Sequence, residues 1–229
     1  MGLIRNFAMT PEEMAAIRPL PPGCGWMSCH LSEDGLRELP DSLPPGSLLI
    51  LDDRQVPRDI EPEKILDQMT GAISRLSCDA LLLDFQRPFE ERLLELADLL
   101  QKALPCPVGV SEAYQQAESG PVFLSLLPPH RSLSEYVAPW QGREIWLEVG
   151  PAPECARVTA RGTEFLKPRS PLPPCPHSHE GLSCHYGMEL SDSEILFTLL
   201  RTCEDLKALT RQAETLGITR TIGLYQELF

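Results

Sequence analysis

Eight short apolar runs, amphipathic helical stretches between several of them, and strand cores apolar on both faces predict an α/β fold. The reading that accommodates all eight is a compact, single-domain (β/α)8 TIM-like barrel. The strand candidates are "GWMSCH" (25–30), "SLLILDD" (47–53), "DALLLDF" (79–85), "PVGVSE" (107–112), "PVFLSLL" (121–127), "REIWLEV" (143–149), "CHYGMEL" (184–190) and "RTIGLYQ" (220–226). Strands separated by helices, with near-continuous apolar cores, belong to a mainly parallel sheet covered on both faces.

The helices are expected over 61–76, 89–104 and 192–216. In "FEERLLELADLLQKAL", Phe89, Leu93, Leu96, Ala97 and Leu100 recur at helical spacing. The last helix is expected to start from the capping-box sequence "SDSE", at Ser191 or Ser193, and to stop before Gly217. At 229 residues the chain is slightly short for this fold, which typically takes ~250, so some connections must be economical. "AYQQAESG" (113–120) has room for barely two helical turns and "PPHRSLSEYVAPWQG" (128–142) for a short helix. Residues 151–183 form an irregular insertion. It should hold a hairpin around "ARVTARGTEF" and then a Pro-rich loop, "LKPRSPLPPCPHSHEG", which cannot be a helix interior.

Parity then assigns faces, because side chains alternate across a strand. Leu81, Leu83 and Phe85 suit the helix layer, leaving Leu82, Asp84 and Gln86 inward. Glu144, Trp146 and Glu148 fall inward on the sixth run, His185, Gly187 and Glu189 on the seventh, and Gly223 and Tyr225 on the eighth. The second run leaves either Asp52 or Asp53 inside, and the fourth either Ser111 or Glu112. Barrel sites are built at the C-terminal ends of strands. Acids placed late in several strands therefore point to a convergent acidic mouth, with Asp84, Glu148 and Glu189 as catalytic candidates. Asp53, Gln86, Arg87, Glu112, Trp146, His185 and Tyr225 are the ligand-binding candidates around them.

"DALLLDFQ" resembles the DGxDxDxE strand of the chitinase-like family 18 glycoside hydrolases, which are also (β/α)8 barrels. In that alignment Asp79 matches the first acid, Leu82 replaces the second and Asp84 matches the third. Gln86 stands where the family has its proton-donating glutamate. The continuation "LDFQRP" is similar to the "DYxRFP" strand end of other glycosidase-like barrels. The resemblance covers about ten residues and implies carbohydrate chemistry at this strand. Two departures stand beside it. Gln86 cannot exchange a proton, so another pair such as Asp84 with Glu148 or Glu189 must act, or the barrel binds without cutting. The strand also counts third here, whereas the family motif lies on the fourth.

"CPHSHEGLSCH" gathers Cys175, His177, His179, Cys184 and His185, all residues of zinc-ligand type, without a paired Cys-x2-Cys spacing. The alternatives are a metal site used by a metal-dependent hydrolase or a loop leading to a strand. Other classes are disfavoured. The net charge of −13, with no basic stripe, argues against nucleic acid. No run approaches the ~18 apolar residues of a membrane span. The start "MGLIRNFAMTPEEMAAIRPL" has no sustained apolar core, so the eight cysteines are expected as reduced thiols of a cytoplasmic protein. No Gly-rich phosphate loop, nucleophile elbow or dinucleotide fingerprint is present, and no cofactor is expected. The reading is a glycoside-hydrolase-like barrel, active or degenerate, binding a carbohydrate-like or polar small molecule. The alternatives are a non-catalytic binding or scaffold barrel and the metal-dependent hydrolase.

Overall fold

The computed structural model describes residues 2–57, 59–115 and 120–228. Its strands are β1 (Ile4–Met9), β2 (Cys24–Ser32), β3 (Gly35–Arg37), β4 (Leu48–Asp52), β5 (Ala80–Asp84), β6 (Val108–Ser111), β7 (Val122–Leu124), β8 (Ile145–Glu148), β9 (Glu154–Thr159), β10 (Gly162–Leu166), β11 (His177–His179), β12 (Cys184–Leu190), β13 (Glu194–Leu200) and β14 (Arg220–Leu224). The α-helices are α1 (Pro11–Ala16), α2 (Pro62–Leu76), α3 (Glu91–Ala103), α4 (Leu133–Val137), α5 (Cys203–Thr215) and α6 (Tyr225–Leu228).

Eight parallel strands, in the order β1-β2-β4-β5-β6-β7-β8-β14, close on themselves through the β1–β14 and β1–β2 pairings. This is a (β/α)8-type barrel, as the sequence predicts. Its strand assignment differs in two places. The first strand is "IRNFAM", which sequence patterning passes over because Arg5 and Asn6 interrupt the apolar run. Asn6 is fully buried and is satisfied by Gly23 O at 2.9 Å and by the Arg220 guanidinium at 2.7 Å. Gly23 sits at the closing seam with φ +76, where an added Cβ would lie 2.2 Å from Arg5 O.

The second difference is "CHYGMEL", expected as a barrel strand. It is β12 of a separate five-stranded antiparallel sheet, ordered β10-β9-β13-β12-β11 and inserted between β8 and α5. The expected hairpin around 156–165 is its β9–β10 pair. Residues 194–200, expected as the front of a long helix, are strand β13. "SDSE" makes the hairpin turn before it, with Ser191 bonded to Glu194 through backbone and side chain. "EILFTLL" is rich in β-branched and apolar residues that pair well in a sheet, and the helix starts only at the true capping box, Thr202 with Asp205.

Among the described residues the helix layer is incomplete. α2 buries Ile65, Met69, Ala72, Ile73 and Leu76, and α3 buries Leu93, Leu94, Leu96, Ala97 and Leu100, against Leu49, Leu51, Leu81, Leu83 and Val110. Phe89, expected on the apolar face of a helix over 89–104, precedes α3 and is largely exposed, stacked on Tyr114. A single 3-10 turn (Glu112–Tyr114) follows β6; the rest of the expected two-turn segment, 116–119, lies outside the described residues. No described helix is long and apolar enough to cross a membrane. All eight cysteines are free thiols.

Inside the barrel, Ala8, Leu48, Ile50, Ala80, Leu82, Phe123, Trp146 and Ile222 form the core. Trp146 is 0% exposed and runs across to β6, where Gly109 leaves room for it: a Cβ there would be 2.2 Å from the indole. The buried Arg220 guanidinium stacks over the indole at 4.7 Å. Gly109→Ala should therefore lower stability by about 1–3 kcal/mol in urea unfolding, the usual cost of overpacking. Adding Trp146→Phe should restore part of that loss. An unchanged midpoint in the single variant would show that the indole is not confined there.

Candidate functional site

The C-terminal ends of the strands surround a cavity of about 210 Å³. Its floor is apolar (Ala8, Ile50, Leu82, Phe123, Ile222), and its polar rim is Asp52, Asp53, Arg54, Asp84, Gln86 and Glu148. The rim follows from parity. Leu48 and Ile50 point inward on β4, so Asp52 does too; Leu82 points inward on β5, so Asp84 does, in register beside Asp52. Trp146 points inward on β8, so Glu148 does. The expected outward set Leu81, Leu83 and Phe85 is buried under the helices.

Each acid has a different environment. Asp52 is buried and pairs with Arg54, whose Nε donates to Oδ2 at 2.6 Å while the Arg54 backbone N–H donates to Oδ1 at 3.0 Å. Asp53 is also buried; its Oδ2 accepts the Arg87 N–H at 2.8 Å, which fixes the loop after β5. Asp52 and Asp53 thus both line the cavity. Asp84 accepts from the Gln86 amide at 2.9 Å. Burial raises its pKa, the Gln86 bond lowers it, and Asp53 and Asp52 push it up again against a counter-pull from Arg54, with a net rise. Glu148 accepts the Leu126 N–H at 3.1 Å. Burial first, then the negative field of Asp84, raise its pKa to about 7, with the Leu126 bond lowering and Glu227 raising it. A carboxylic acid half protonated near neutrality therefore faces a second carboxyl across a small concave site. Such a pair can donate a proton and stabilise developing positive charge.

The other expected site residues separate into those near the mouth and those elsewhere. Gln86 lines the cavity. Arg87 is exposed, and it is joined to the site through its backbone N–H, which donates to Asp53. Glu112 is exposed on the turn after β6, where Ser111 instead takes the inward position and bonds Phe85 N and Leu83 O of β5. Trp146, expected as a ligand platform, is barrel filling: with no exposed surface it offers no face to a sugar. Parity places Tyr225 inward, but on β14 it is Ile222 and Leu224 that pack in the barrel interior. Tyr225 packs with Met9, Met14 and Cys24 outside it. The register is off by one residue because Gly223 carries no side chain to reveal its face.

Glu189 and His185, assigned to the barrel mouth with "CHYGMEL", sit on the inserted sheet. Glu189 is exposed and pairs with Arg169 at 3.2 Å; His185 bonds Asp205 of the α5 cap at 2.7 Å. The Cys-His segment does not converge. His177 stacks on Tyr186, His179 accepts from Leu182 N, and among the described residues no three His, Cys, Asp or Glu are placed to hold a metal ion. Two site residues are not singled out by sequence reading. Arg54 is signalled only by following the two acids of "LDDR". Glu227 acts on Glu148 from α6, which no strand pattern indicates.

Because Glu148 holds its proton more tightly folded than unfolded, the native state binds more protons between pH ~4.5 and 7. Stability should fall as pH rises through that window and then level. Glu148→Gln should flatten the profile, adding on the order of 1 kcal/mol, or about 2–4 °C in Tm, at pH 8 and little at pH 5. Thermal melts at the two pH values check this; equal effects at both would show that Glu148 is not strained when charged.

No family model matches the chain, and no curated protein matches it in sequence. Among solved structures it is similar to the spore cortex-lytic enzyme SleL of Bacillus cereus, with a TM-score of 0.54 at 8% identity, over 99% of this chain and 71% of that one. SleL of Bacillus megaterium aligns over 97% of this chain and 70% of that one, at 9% identity and a TM-score of 0.48. A candidate sporulation-specific glycosylase of Bacillus subtilis, YdhD, aligns over 77% and 79%, at 7% identity and a TM-score of 0.46. The latter two align too loosely to add to the fold comparison. What the chain shares with the Bacillus cereus enzyme is the architecture, a closed (β/α)8 barrel.

Proposed function

We propose that the chain is a glycoside hydrolase whose working pair is Asp84 and Glu148. The observation that carries this is their placement: two inward carboxyls at the C-terminal mouth of a closed barrel, lining one small cavity, with Asp84 raising the proton affinity of Glu148. Three further points support it. With β1 counted, "DALLLDFQ" is the fourth barrel strand, which is where the chitinase-like motif lies. The barrel is shared with an enzyme described as cortex-lytic. Glu148 supplies the exchangeable proton that Gln86 lacks.

In this mechanism protonated Glu148 donates to the glycosidic oxygen as the bond to the anomeric carbon breaks. Ionised Asp84, held by the Gln86 amide, stabilises the oxocarbenium-like charge and either attacks the anomeric carbon or activates water. The apolar floor suits the carbon face of one sugar ring, and Arg54 and Asp53 offer a donor and an acceptor to its hydroxyls. Gln86 also favours a second reading, a sugar-binding barrel that does not cut, since the family's proton donor is absent at that position.

A hydrolysis screen over β-linked amino-sugar and glucose oligomers, with a glycan array in parallel, tests both. Cleavage should fall above about pH 7, as Glu148 loses its proton. Glu148→Gln should lower kcat by roughly 10²–10⁴-fold, and Asp84→Asn should abolish turnover while leaving the fold intact. Binding without cleavage supports the second reading. Neither binding nor cleavage, or full activity in Asp84→Asn, sinks the glycosidase assignment.

A further inference from the structure

The inserted sheet meets the barrel at residues 125–130 after β7, a segment whose polar groups are held from several directions. The Tyr136 hydroxyl of α4 donates to Ser125 O at 3.1 Å. Leu126 N–H donates to Glu148 at 3.1 Å. Arg201, just past the last strand of the insertion, donates to Leu127 O and, at 3.3 Å, to Pro128 O. His130 is held by Glu154 of β9, its backbone N–H at 3.3 Å and its Nδ1 at 2.8 Å. Arg201 is itself 2% exposed, and its own backbone N–H donates to Pro151 O at 3.0 Å, where the insertion leaves the barrel. One buried residue thus joins the two ends of the insertion through its backbone N–H, and through its guanidinium holds the carbonyls that follow the amide bonded to Glu148.

We infer that Arg201 is a positioning residue: by clamping Leu127 and Pro128 it aims the Leu126 N–H at Glu148, so that the inserted sheet sets the protonation of the site's acid. The geometry requires this order. A peptide N–H can aim at a carboxylate only if the flanking peptides are fixed, and Leu127 O is separated from Leu126 N by one residue. Two bonds from a planar, permanently charged fork fix both following carbonyls at once. Arg201 does not need to touch a ligand for this role. The groups that face Glu148 are all on other elements: Asp84 from the end of β5, Glu227 from α6 and Tyr136 from α4, the first two acting to keep its proton on. The Leu126 N–H acts the other way and favours its ionised form. Loosening the segment therefore has one sign: Glu148 holds its proton to higher pH.

The inference rests on the proposed role of Glu148 for its consequence in catalysis, but its test needs no substrate. The Glu148 side-chain carbon is titrated by NMR in the full chain, its resonance assigned by its loss in Glu148→Gln. In Arg201→Met the titration should move upward by roughly half to one unit, as expected when a carboxylate loses one hydrogen bond. Arg201→Lys keeps the charge but loses the rigid planar fork that presents separate N–H groups to the two carbonyls, so a smaller shift in the same direction is expected; this variant is read if Arg201→Met does not fold. If the wild type cleaves a glycoside, kcat should fall roughly ten- to hundredfold in Arg201→Met with KM changed by less than about twofold. The alkaline limb of its pH profile should move up with Glu148. A folded variant of either kind in which Glu148 titrates as in the wild type overturns the inference. A shifted titration in a protein that cleaves nothing leaves it standing and removes the glycosidase reading alone.

Discussion

The packing of Trp146 across the barrel onto Gly109, under the Arg220 guanidinium, is the constraint on which the rest depends. A closed eight-stranded barrel must fill its interior with side chains, and here one indole replaces several aliphatic residues. Arg220 is buried above it only because Asn6 accepts from it and Asp79 lies 3.7 Å away. That polar arrangement explains why the first strand carries an asparagine at a core position. It also explains the location of the cavity: the N-terminal half of the barrel is filled, and the cavity lies between the floor set by Ile50, Leu82, Phe123 and Ile222 and the strand ends.

At those ends the electrostatics divide the acids by role. Asp52 is neutralised by Arg54, and Asp53 is used to hold a backbone amide, so both are structural carboxylates that also bound the cavity. Asp84 and Glu148 each accept from an amide N–H rather than from a cation, and Arg54 exerts only the smallest of the pulls on Asp84. Burial without a counter-charge favours the neutral acid. The result is a chain of decreasing compensation around the rim, from the ion-paired Asp52 to the strained Glu148, which is where proton transfer is most accessible near neutrality.

The insertion after β8 gives this small barrel something that its thin helix layer does not. Helices cover the β4–β6 side well, but the segment after β7 has only short α4 beside it. The sheet of β9–β13 and the start of α5 supply the anchors for that segment through Glu154 and Arg201. His185 and Asp205 in turn bind the sheet to the α5 cap. The polar residues that looked like a metal site in the sequence are thus used for cohesion.

Much of the barrel was legible because apolar runs of period two and helices of period 3.6 are local signals. Seven of the eight expected runs coincide with barrel strands, and parity placed Asp84 and Glu148 inward correctly, since their neighbours Leu83, Leu147 and Trp146 are unambiguous. Where the signal is local but shared, sequence reading fails. "CHYGMEL" alternates as well in an antiparallel sheet as in a barrel, and "SDSE" turns a hairpin as readily as it caps a helix. The strand at 4–9 is hidden because its buried Asn6 is paid for by Arg220, 214 positions away in the chain. The sequence by itself determined the fold class and the two inward acids, because alternation is a property of neighbouring residues. Only the tertiary structure decided which strands close the barrel, that Trp146 fills it rather than lining a site, and that Glu148 rather than Glu189 faces Asp84. Each of those depends on contacts across the barrel or between it and the insertion, whose energies no stretch of neighbouring residues records.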